Sequence, residues 1–196
     1  MQLKDLLLRN RSYRRFHESE KISRETLAGL VELARLSPSG ANLQPLKFIL
    51  SNTSTINAKI FECLAWAGYL TDWEGPEPGE RPSAYVVILG DKNIKDPVKH
   101  DQGIAAQSIL LGAVEQGLGG CIIGSVKQEL LRKNLKIPGH LEILLVLALG
   151  RPKEKVILEE LPENGDIRYW RDENGVHHVP KRPLSNLILE IPADDD

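Results

Sequence analysis

The sequence contains few cysteines, and the two that it has lie far apart. Cys63 and Cys121 form no CxxC pair in a chain of 196 residues. A protein with free thiols is a simpler interpretation than a disulfide scaffold, and free thiols are typical of the reducing cytosol. We therefore expect a cytoplasmic protein without structural disulfides.

Long apolar runs are also lacking. The longest, ILLVLAL at residues 143–149, is far shorter than the ~20 residues that a membrane-spanning helix requires. The first residues mix Lys4, Asp5 and Arg9 with leucines and so offer no signal-peptide pattern. These observations predict a soluble protein with no membrane partner.

Neither sign of charge is in excess. The formal net charge of −2 gives no reason to expect a nucleic acid or an anionic membrane as partner. Hydrophobic residues make up 41% of the chain and charged residues 27%, as in ordinary globular proteins. A chain of 196 residues can bury a real core, so we expect residues 1–196 to form a single domain.

What the chain does contain is a regular succession of helical and extended patterns. Ser23 and Asp101 are predicted N-caps of helices. The helix after Asp101 is apolar nearly all round, which indicates a central position. Ser125 with Gln128 makes a capping-box pattern for a helix that ends near Leu135.

Four apolar segments predict strands: KFIL at 47–50, AYVVILG at 84–90, CII at 121–123 and LEILLVLALG at 141–150. The second lacks polar alternation, which is typical of a strand covered on both faces. Because strands and helices interleave, we predict an α/β or α+β domain. Apolar density falls after Lys153, so residues 153–196 are expected to form an extended C-terminal arm.

The loop LSPSGANLQPLKF, residues 36–48, is unusually restrained for a surface connection. It holds two prolines, two side-chain amides and several small residues, and it carries no charge before Lys47. An ordinary surface loop does not need this composition. The question is therefore what a stiff, uncharged, amide-bearing loop binds.

Four arginines lie within RNRSYRRF, residues 9–16, with Ser12 among them. The planar fork of donors on arginine, next to a hydroxyl, suits a phosphate monoester. Alternatively, the same arginines form a solvated basic face with no ligand. Composition alone leaves both interpretations open.

The segment GLGGCIIGS, residues 117–125, superficially resembles a dinucleotide-binding fingerprint. That motif follows a strand and opens a helix, whereas these first glycines end a helix, so a Rossmann site is not expected. Gly124 and Ser125 lie between a strand and a new helix, where free backbone amides point outward toward a ligand. A plain helix stop and start is the alternative.

Other kinds of active site find no support in the sequence. His177 and His178 are adjacent, so they cannot converge on one metal, and no cluster has metal-ligand spacing. There is no G-x-S-x-G nucleophile elbow. Cys121, within an apolar strand, is expected to be packed rather than reactive. We predict no metal site and nominate no catalytic residue.

Aromatic residues are scarce, yet Trp66, Tyr69 and Trp73 flank the acidic, proline-rich loop at residues 71–83. Loops of this length are usually mobile or functional. The three aromatics are interpreted either as a lid over a planar ligand or as the anchor of an exposed loop.

Five separated segments together resemble the nitroreductase family of FMN-dependent oxidoreductases, in its short branch. They are NRSYRRF, SPSGANLQP, GLGGCIIGS, LLVLALGRP and VPKRPL, and they occur in the family's order from Arg9 to about Leu187. The resemblance implies an α+β fold in which a mixed sheet is wrapped by helices. It also implies an intertwined homodimer with two FMN molecules at its interface.

The same resemblance implies the residues that hold FMN. The phosphate and ribityl end would be bound by Arg11, Ser12 and Arg14, with Lys181 and Arg182 returning from the tail. Gly124 and Ser125 would bring backbone donors to the ring near its N5.

The loop at residues 36–48 would approach the flavin from the other subunit, through Pro38, Ser39, Gly40, Asn42 and Gln44. On this hypothesis the prolines stiffen the loop, the small residues let the backbone approach a flat ring, and the amides bind its polar edge. A charge there would perturb the flavin's potential, which explains why the loop has none.

For activity, the resemblance implies ping-pong hydride transfer from NAD(P)H through FMN to a nitroaromatic, quinone or similar acceptor. The cofactor carries such a reaction, and the protein orients it. Reductive dehalogenation or peptide oxidation on the same fold is one alternative, and a non-catalytic FMN-binding protein is another. An interaction domain that binds no flavin is the third.

Overall fold

A computed structural model describes residues 2–163 and 165–191 of the chain. Its central sheet contains β1 (Leu46–Ser51), β2 (Ala84–Asp91), β3 (Gly119–Ile123) and β4 (Leu141–Gly150). The strand order is β1-β2-β4-β3, and each neighbouring pair is antiparallel. An isolated parallel bridge between Ser12 and Gly120 places the N-terminal segment beside β3.

Helices cover both faces of this sheet, which confirms the predicted α+β fold. One core joins the sheet to the helices α2 (Arg24–Leu36) and α4 (Asp101–Glu115), and the other joins it to α3 (Ser54–Phe61) and α5 (Gln128–Leu135). Helix α1 (Leu3–Arg9) precedes these four in the chain. Within the described ranges, no helix has both the length and the apolar character needed to cross a bilayer.

Strand β2 shows why its sequence lacks polar alternation. Val86 and Ile88 face the core that contains α2 and α4, whereas Tyr85 and Val87 face the core that contains α3 and α5. All four side chains are buried. Removing an aliphatic side chain of this size from water contributes roughly 1.5–3 kcal/mol, so both faces of the strand stabilise the fold.

The predicted helix caps had mixed outcomes. Ser23 is the N-cap of α2, and its hydroxyl accepts a 3.0 Å hydrogen bond from the backbone N–H of Thr26. The prediction for Asp101 was wrong, because α4 begins at this residue after His100 and its carboxylate bonds to a loop instead. The capping box at Ser125 was also wrong, because α5 begins only at Gln128.

The misplaced capping box has a local cause. Val126 forms a bridge with Leu64, and the Ser125 carbonyl accepts a 3.0 Å hydrogen bond from the N–H of Ala65. These contacts keep the chain extended past Ser125 and delay the start of α5. The predicted end of the helix, Leu135, is confirmed.

Two glycines let the N-terminal segment lie against the sheet. A Cβ on Gly119 would lie 2.6 Å from Cδ2 of Tyr13. A Cβ on Gly150 would lie 2.8 Å from Cδ1 of Phe16, whose side chain is fully buried. Only a residue without a side chain fits such approaches, so these glycines position the arginine-rich segment beside β3.

The C-terminal arm contains a second, small sheet that the sequence pattern did not predict. Its strands are β5 (Val156–Glu160), β6 (Trp170–Arg171) and β7 (His177–Lys181). The order is β5-β7-β6, with β5 and β7 parallel and β6 antiparallel to β7. This sheet carries His177 and Lys181 to the same region as the arginine-rich segment.

Candidate functional site

Two adjoining cavities form a groove between the arginine-rich segment, β3 and the C-terminal sheet. The first has a volume of about 250 Å³ and the second about 220 Å³. Arg14 and Tyr169 line both cavities and so mark the boundary between them. We call the first the cationic cavity and the second the flat cavity, for the residues that line them.

The cationic cavity gathers residues from three distant parts of the sequence. Its polar lining comprises Asn10, Arg11, Ser12, Arg14, Tyr169, His177 and Lys181, and its apolar lining comprises Val156 and Val179. Among the described residues, no carboxylate lines it. Guanidinium and ammonium groups without a counter-charge make this cavity suitable for an anion.

Arg11 has an unused hydrogen-bond donor in this cavity. Its Nη2 donates to the Leu7 carbonyl at 2.7 Å, but its buried Nε has no partner in the part of the chain that the structure describes. Burial lowers the pKa of the Arg11 guanidinium, because desolvation penalises its charged form. A buried donor is normally satisfied, so Arg11 lacks a hydrogen-bond acceptor that a bound anion would supply.

Arg14 is held from several directions. Its Nη1 donates to the Ser12 carbonyl at 3.2 Å and lies 3.3 Å from Nε2 of His177. Its guanidinium carbon stands 4.9 Å from the centroid of the Tyr169 ring, a cation–π distance. Its backbone N–H donates to the buried carboxylate of Glu154.

Glu154 fixes this part of the backbone. Its carboxylate accepts the N–H of Arg14 and, at 3.2 Å, the N–H of Arg15. The same side chain, 1% exposed, pairs with Arg171 at 3.1 Å. A single buried carboxylate therefore joins the arginine-rich segment to β6.

His177 is a site residue whose role the sequence did not reveal. It was considered only as a metal ligand, yet it lies in the cationic cavity and is 1% exposed. Burial, with Arg14 and Arg171 nearby, lowers the pKa of its imidazole to about 4. Among the described residues, no group of His, Cys, Asp and Glu side chains is arranged to hold a metal ion.

The flat cavity is lined by backbone and small or apolar side chains. Gly124 and Ser125 line it where the chain leaves β3. The remaining lining consists of Ala65, Trp66, Ala67, Gly68, Cys121, Ile122 and Ile123, besides the shared Arg14 and Tyr169. Cys121 is buried, and burial raises the pKa of its thiol, so it is packed rather than reactive.

The aromatic residues near the 71–83 loop divide between the two interpretations. Trp66 lines the flat cavity, and Tyr69 contacts the Tyr169 ring at a centroid distance of 4.9 Å. These residues border the groove, as a lid would. Trp73 instead packs under the guanidinium of Arg171 at 4.5 Å, which makes it an anchor of the loop.

Ion pairs and a backbone hydrogen bond also hold the end of this loop. Glu80 pairs with Arg15 at 2.5 Å and with Lys153 at 3.0 Å. The Arg15 side chain, followed by Lys153, holds the pKa of the Glu80 carboxyl down at about 2. The Glu80 carbonyl also accepts the N–H of Phe16 at 2.9 Å, so the loop is tied to the arginine-rich segment.

The loop at residues 36–48 does not enter the groove of its own chain. Pro38, Ser39 and Gln44 line a separate cavity of about 170 Å³ that Asp101 also borders. Ser39 Oγ donates to Asp101 at 2.5 Å, and the N–H of Gly40 donates to the same carboxylate at 3.2 Å.

The backbone of this loop is strained at residues other than glycine. Ala41, Asn42 and Gln44 have φ angles of 51°, 54° and 52°, a left-handed region that costs energy for side-chain-bearing residues. Asn42 and Gln44 are exposed. The buried Asp101 thus fixes Ser39 and Gly40, whereas the side-chain amides that follow them stay exposed.

The two tail residues differ in position. Lys181 lines the cationic cavity, whereas Arg182 is exposed and lines none of the three cavities described above. Of the twelve residues expected to bind FMN, the single chain brings together Arg11, Ser12, Arg14, Gly124, Ser125 and Lys181.

Comparison with known proteins agrees with this geometry. The model of the Nitroreductase family matches residues 7–69 and 82–151. A protein of Archaeoglobus fulgidus with the provisional name NADH dehydrogenase/NAD(P)H nitroreductase is 28% identical over 149 residues, which cover 72% of this chain and 80% of that protein.

Solved structures give the same fold. An FMN-dependent nitroreductase from Clostridium difficile R20291 is 25% identical, with a TM-score of 0.64 over 78% of this chain and 89% of that one. A nitroreductase family protein from Clostridium difficile 630 is 19% identical, but it matches 98% of this chain and 100% of its own, with a TM-score of 0.69. With its sequence matched over more than half its length, this chain belongs to the nitroreductase family.

Proposed function

We propose that the protein is an FMN-dependent NAD(P)H oxidoreductase that reduces nitroaromatic, quinone or similar acceptors as a homodimer. One observation carries the proposal: the cationic cavity and the flat cavity, which is lined mostly by small and apolar residues, adjoin at Arg14 and Tyr169. A flavin nucleotide has the same polarity, with an anionic phosphate at one end and a planar ring at the other.

The residues of the groove fit this cofactor. Arg11, Ser12 and Arg14, with Lys181 and the nearby Arg182, would bind the phosphate and ribityl end. The unpartnered Nε of Arg11 supports this assignment, since a phosphate oxygen would satisfy it. Gly124 and Ser125 would place the backbone after β3 against the ring. Bound there, FMN would supply the hydride chemistry between NAD(P)H and the acceptor.

The chain's own contribution is binding and orientation rather than proton transfer. Glu154 holds the backbone of Arg14 in place, and Tyr169 packs on its guanidinium. Trp66 and the small residues beside it keep one side of the flat cavity apolar. We assign no general acid or base.

A second subunit would complete the site. Pro38, Ser39, Gly40, Asn42 and Gln44 do not line the groove of their own chain, so we propose that they reach the partner's groove. Exposed apolar side chains support an interface, because such patches mark contact surfaces. They include Leu3, Leu7, Leu8, Leu36, Leu184, Leu187, Ile188, Leu189 and Ile191.

The whole chain, residues 1–196, would then act as one FMN-binding domain whose C-terminal arm, from residue 153, supports the cofactor site and the interface. The names of the two relatives, an NAD(P)H nitroreductase and an FMN-dependent nitroreductase, support the nicotinamide donor and the flavin. Free Cys63 and Cys121 support the expectation of a cytoplasmic location.

The visible spectrum of the purified protein tests the cofactor. We expect a yellow dimer from which acid releases FMN, identified by chromatography and mass spectrometry. A colourless protein that also fails to bind added FMN would contradict the proposal.

Anaerobic rapid mixing with NADH and with NADPH tests the activity. We expect the flavin absorbance to bleach with at least one of them, and to return on addition of a quinone or a nitroaromatic. A yellow protein that neither nicotinamide bleaches would be a non-catalytic FMN-binding protein.

A further inference from the structure

His177 occupies an unusual place for a buried histidine. It is 1% exposed, yet it lines the cationic cavity with Arg11, Arg14 and Lys181. The main chain holds it there, because its N–H donates to the Lys155 carbonyl at 2.9 Å. The backbone therefore places this residue in the cavity that suits an anion.

The hydrogen bonds of the ring define its protonation state. Arginine can only donate, so the 3.3 Å contact with Arg14 Nη1 requires Nε2 of His177 to accept. The neutral ring then carries its hydrogen on Nδ1, which is buried and has no partner within residues 2–163 and 165–191. The imidazole is consequently held neutral with one donor unsatisfied, a state that costs free energy.

Positive charge dominates the surroundings of the ring. Arg14 contacts it and Arg171 lies near it, and burial together with these two charges opposes its protonation. Glu154 is already used by the backbone of Arg14 and by the Arg171 side chain. The charged and titratable groups around the ring are Arg11, Arg14, Glu154, Lys155, Tyr169, Arg171, His178 and Lys181.

We propose that His177 is a ligand of the phosphate group of the flavin nucleotide and takes up one proton when that nucleotide binds. This inference rests on the proposed function and extends it. A phosphate dianion reverses the sign of the field in the cavity and attracts the guanidinium of Arg14. Nε2 is then free to be protonated and to donate to a phosphate oxygen. No bond is made or broken besides this proton transfer from solvent.

The linkage has a definite sign. The pKa of His177 is about 4 in the ligand-free chain, and a bound phosphate raises it. Between these two pKa values, binding consumes a proton, so affinity for FMN rises as the pH falls. Riboflavin lacks the phosphate, so its affinity should not rise in this way as the pH falls.

The test compares the wild-type protein with His177→Gln, whose amide can still accept from Arg14 but cannot titrate. Dissociation constants of FMN and riboflavin are measured by flavin fluorescence from pH 8.5 to 5.5. We expect the affinity of the wild type for FMN, divided by that of the variant, to grow as the pH falls. At one pH unit below the pKa of His177 in the complex, this ratio should be about tenfold larger than at high pH. Protonation of the phosphate itself cancels in this ratio.

Each outcome is decisive. A ratio that stays constant with pH, while both proteins bind FMN, overturns the role of His177 and leaves the proposed function intact. Failure of the wild-type protein to bind FMN overturns the proposed function instead. A ratio that grows equally with riboflavin also overturns the proposal, because the effect then does not come from the phosphate.

A second measurement detects the protonation of His177 in the wild-type protein itself. Imidazole ¹⁵N shifts of the five histidines are recorded with and without inorganic phosphate, and with FMN. His177→Asn serves only to assign the resonance. We expect the His177 shifts to change from neutral to protonated at pH 6 on addition of FMN, and unchanged neutral shifts would contradict the proposal.

Discussion

Tyr169 lies over Arg14, with 4.9 Å between the guanidinium carbon and the centroid of the ring. The two residues separate the cationic cavity from the flat cavity, so the position of Arg14 depends on a residue of the C-terminal arm. Tyr169→Ala should raise the dissociation constant of FMN about 2- to 5-fold, since an exposed cation–π contact contributes about 0.5–1 kcal/mol. Tyr169→Phe keeps the ring and should bind FMN like wild type in the same fluorescence titration. Equal weakening in both variants would assign the effect to the hydroxyl instead.

Arg14 itself should be essential for cofactor retention. Charge-assisted hydrogen bonds contribute about 1.5–3 kcal/mol, so Arg14→Ala should weaken FMN binding by at least about tenfold and lose most FMN on purification. Arg151→Ala is the matched control, because its guanidinium pairs with Glu20 at the surface. Equilibrium dialysis against FMN measures both. An Arg14→Ala protein as yellow as wild type would remove this residue from the phosphate site.

The parts of the fold that the sequence predicted are those that local pattern determines. Strands β2 and β4 are apolar on both faces because helices cover both sides of the sheet, and their bounds were close to those observed. Ser23 caps α2 through a contact only three residues away. Asp101 failed as a cap because Ser39 and Gly40, more than sixty positions earlier, engage its carboxylate.

The same distinction applies to the site. The arginine-rich segment and Gly124 were recognisable as motifs, but His177 was not, because its partner Arg14 is 163 positions away and its strand is short. Strand β6 has only two residues, one of them an exposed tryptophan, so its sequence shows no strand periodicity. A loop expected to act on another subunit cannot be placed from one chain at all.

Gly120 was interpreted from the sequence as part of a helix stop, but its contacts assign it a packing role. A Cβ there would meet the Ala148 carbonyl oxygen at 2.6 Å, and backbone cannot yield as a flexible side chain does. Gly120→Ala should therefore lower the free energy of unfolding by about 3 kcal/mol, the upper part of the usual range for overpacking. Gly139→Ala, which meets nothing within 4 Å, is the control. In urea denaturation, Gly120→Ala should unfold at a lower midpoint than Gly139→Ala. Equal midpoints would contradict the close contact between position 120 and the Ala148 carbonyl.

Glu80 should make stability depend on pH. Its folded pKa of about 2 lies below the ordinary carboxyl value of 4.5, so its contribution is fully present above pH 5 and is lost as the pH falls toward 2. With its side chain 15% exposed, we expect Glu80→Gln to cost about 2 kcal/mol at pH 7 after allowance for solvent screening. At pH 3 the difference from wild type should shrink by more than half. Glu77→Gln, at an exposed position of the same loop, should show neither effect in urea titrations.

The assignment of the 36–48 loop to the partner's groove can be tested by combining two defective chains. Gln44 is exposed in its own chain, so Gln44→Trp should leave that chain folded while filling the partner's flat cavity. Homodimers of Gln44→Trp and of Arg14→Ala should both lack FMN. The two chains are co-expressed with different tags, and the mixed dimer is isolated by sequential affinity steps.

In the mixed dimer, the groove with an intact Arg14 faces the intact loop of the other chain, and the remaining groove carries both defects. We therefore expect about one FMN per mixed dimer, measured by absorbance after acid release, because a symmetric dimer has two equivalent sites. If each loop served its own groove, every site would carry one defect and the mixed dimer would be colourless. That result would show that Asn42 and Gln44 serve the groove of their own chain.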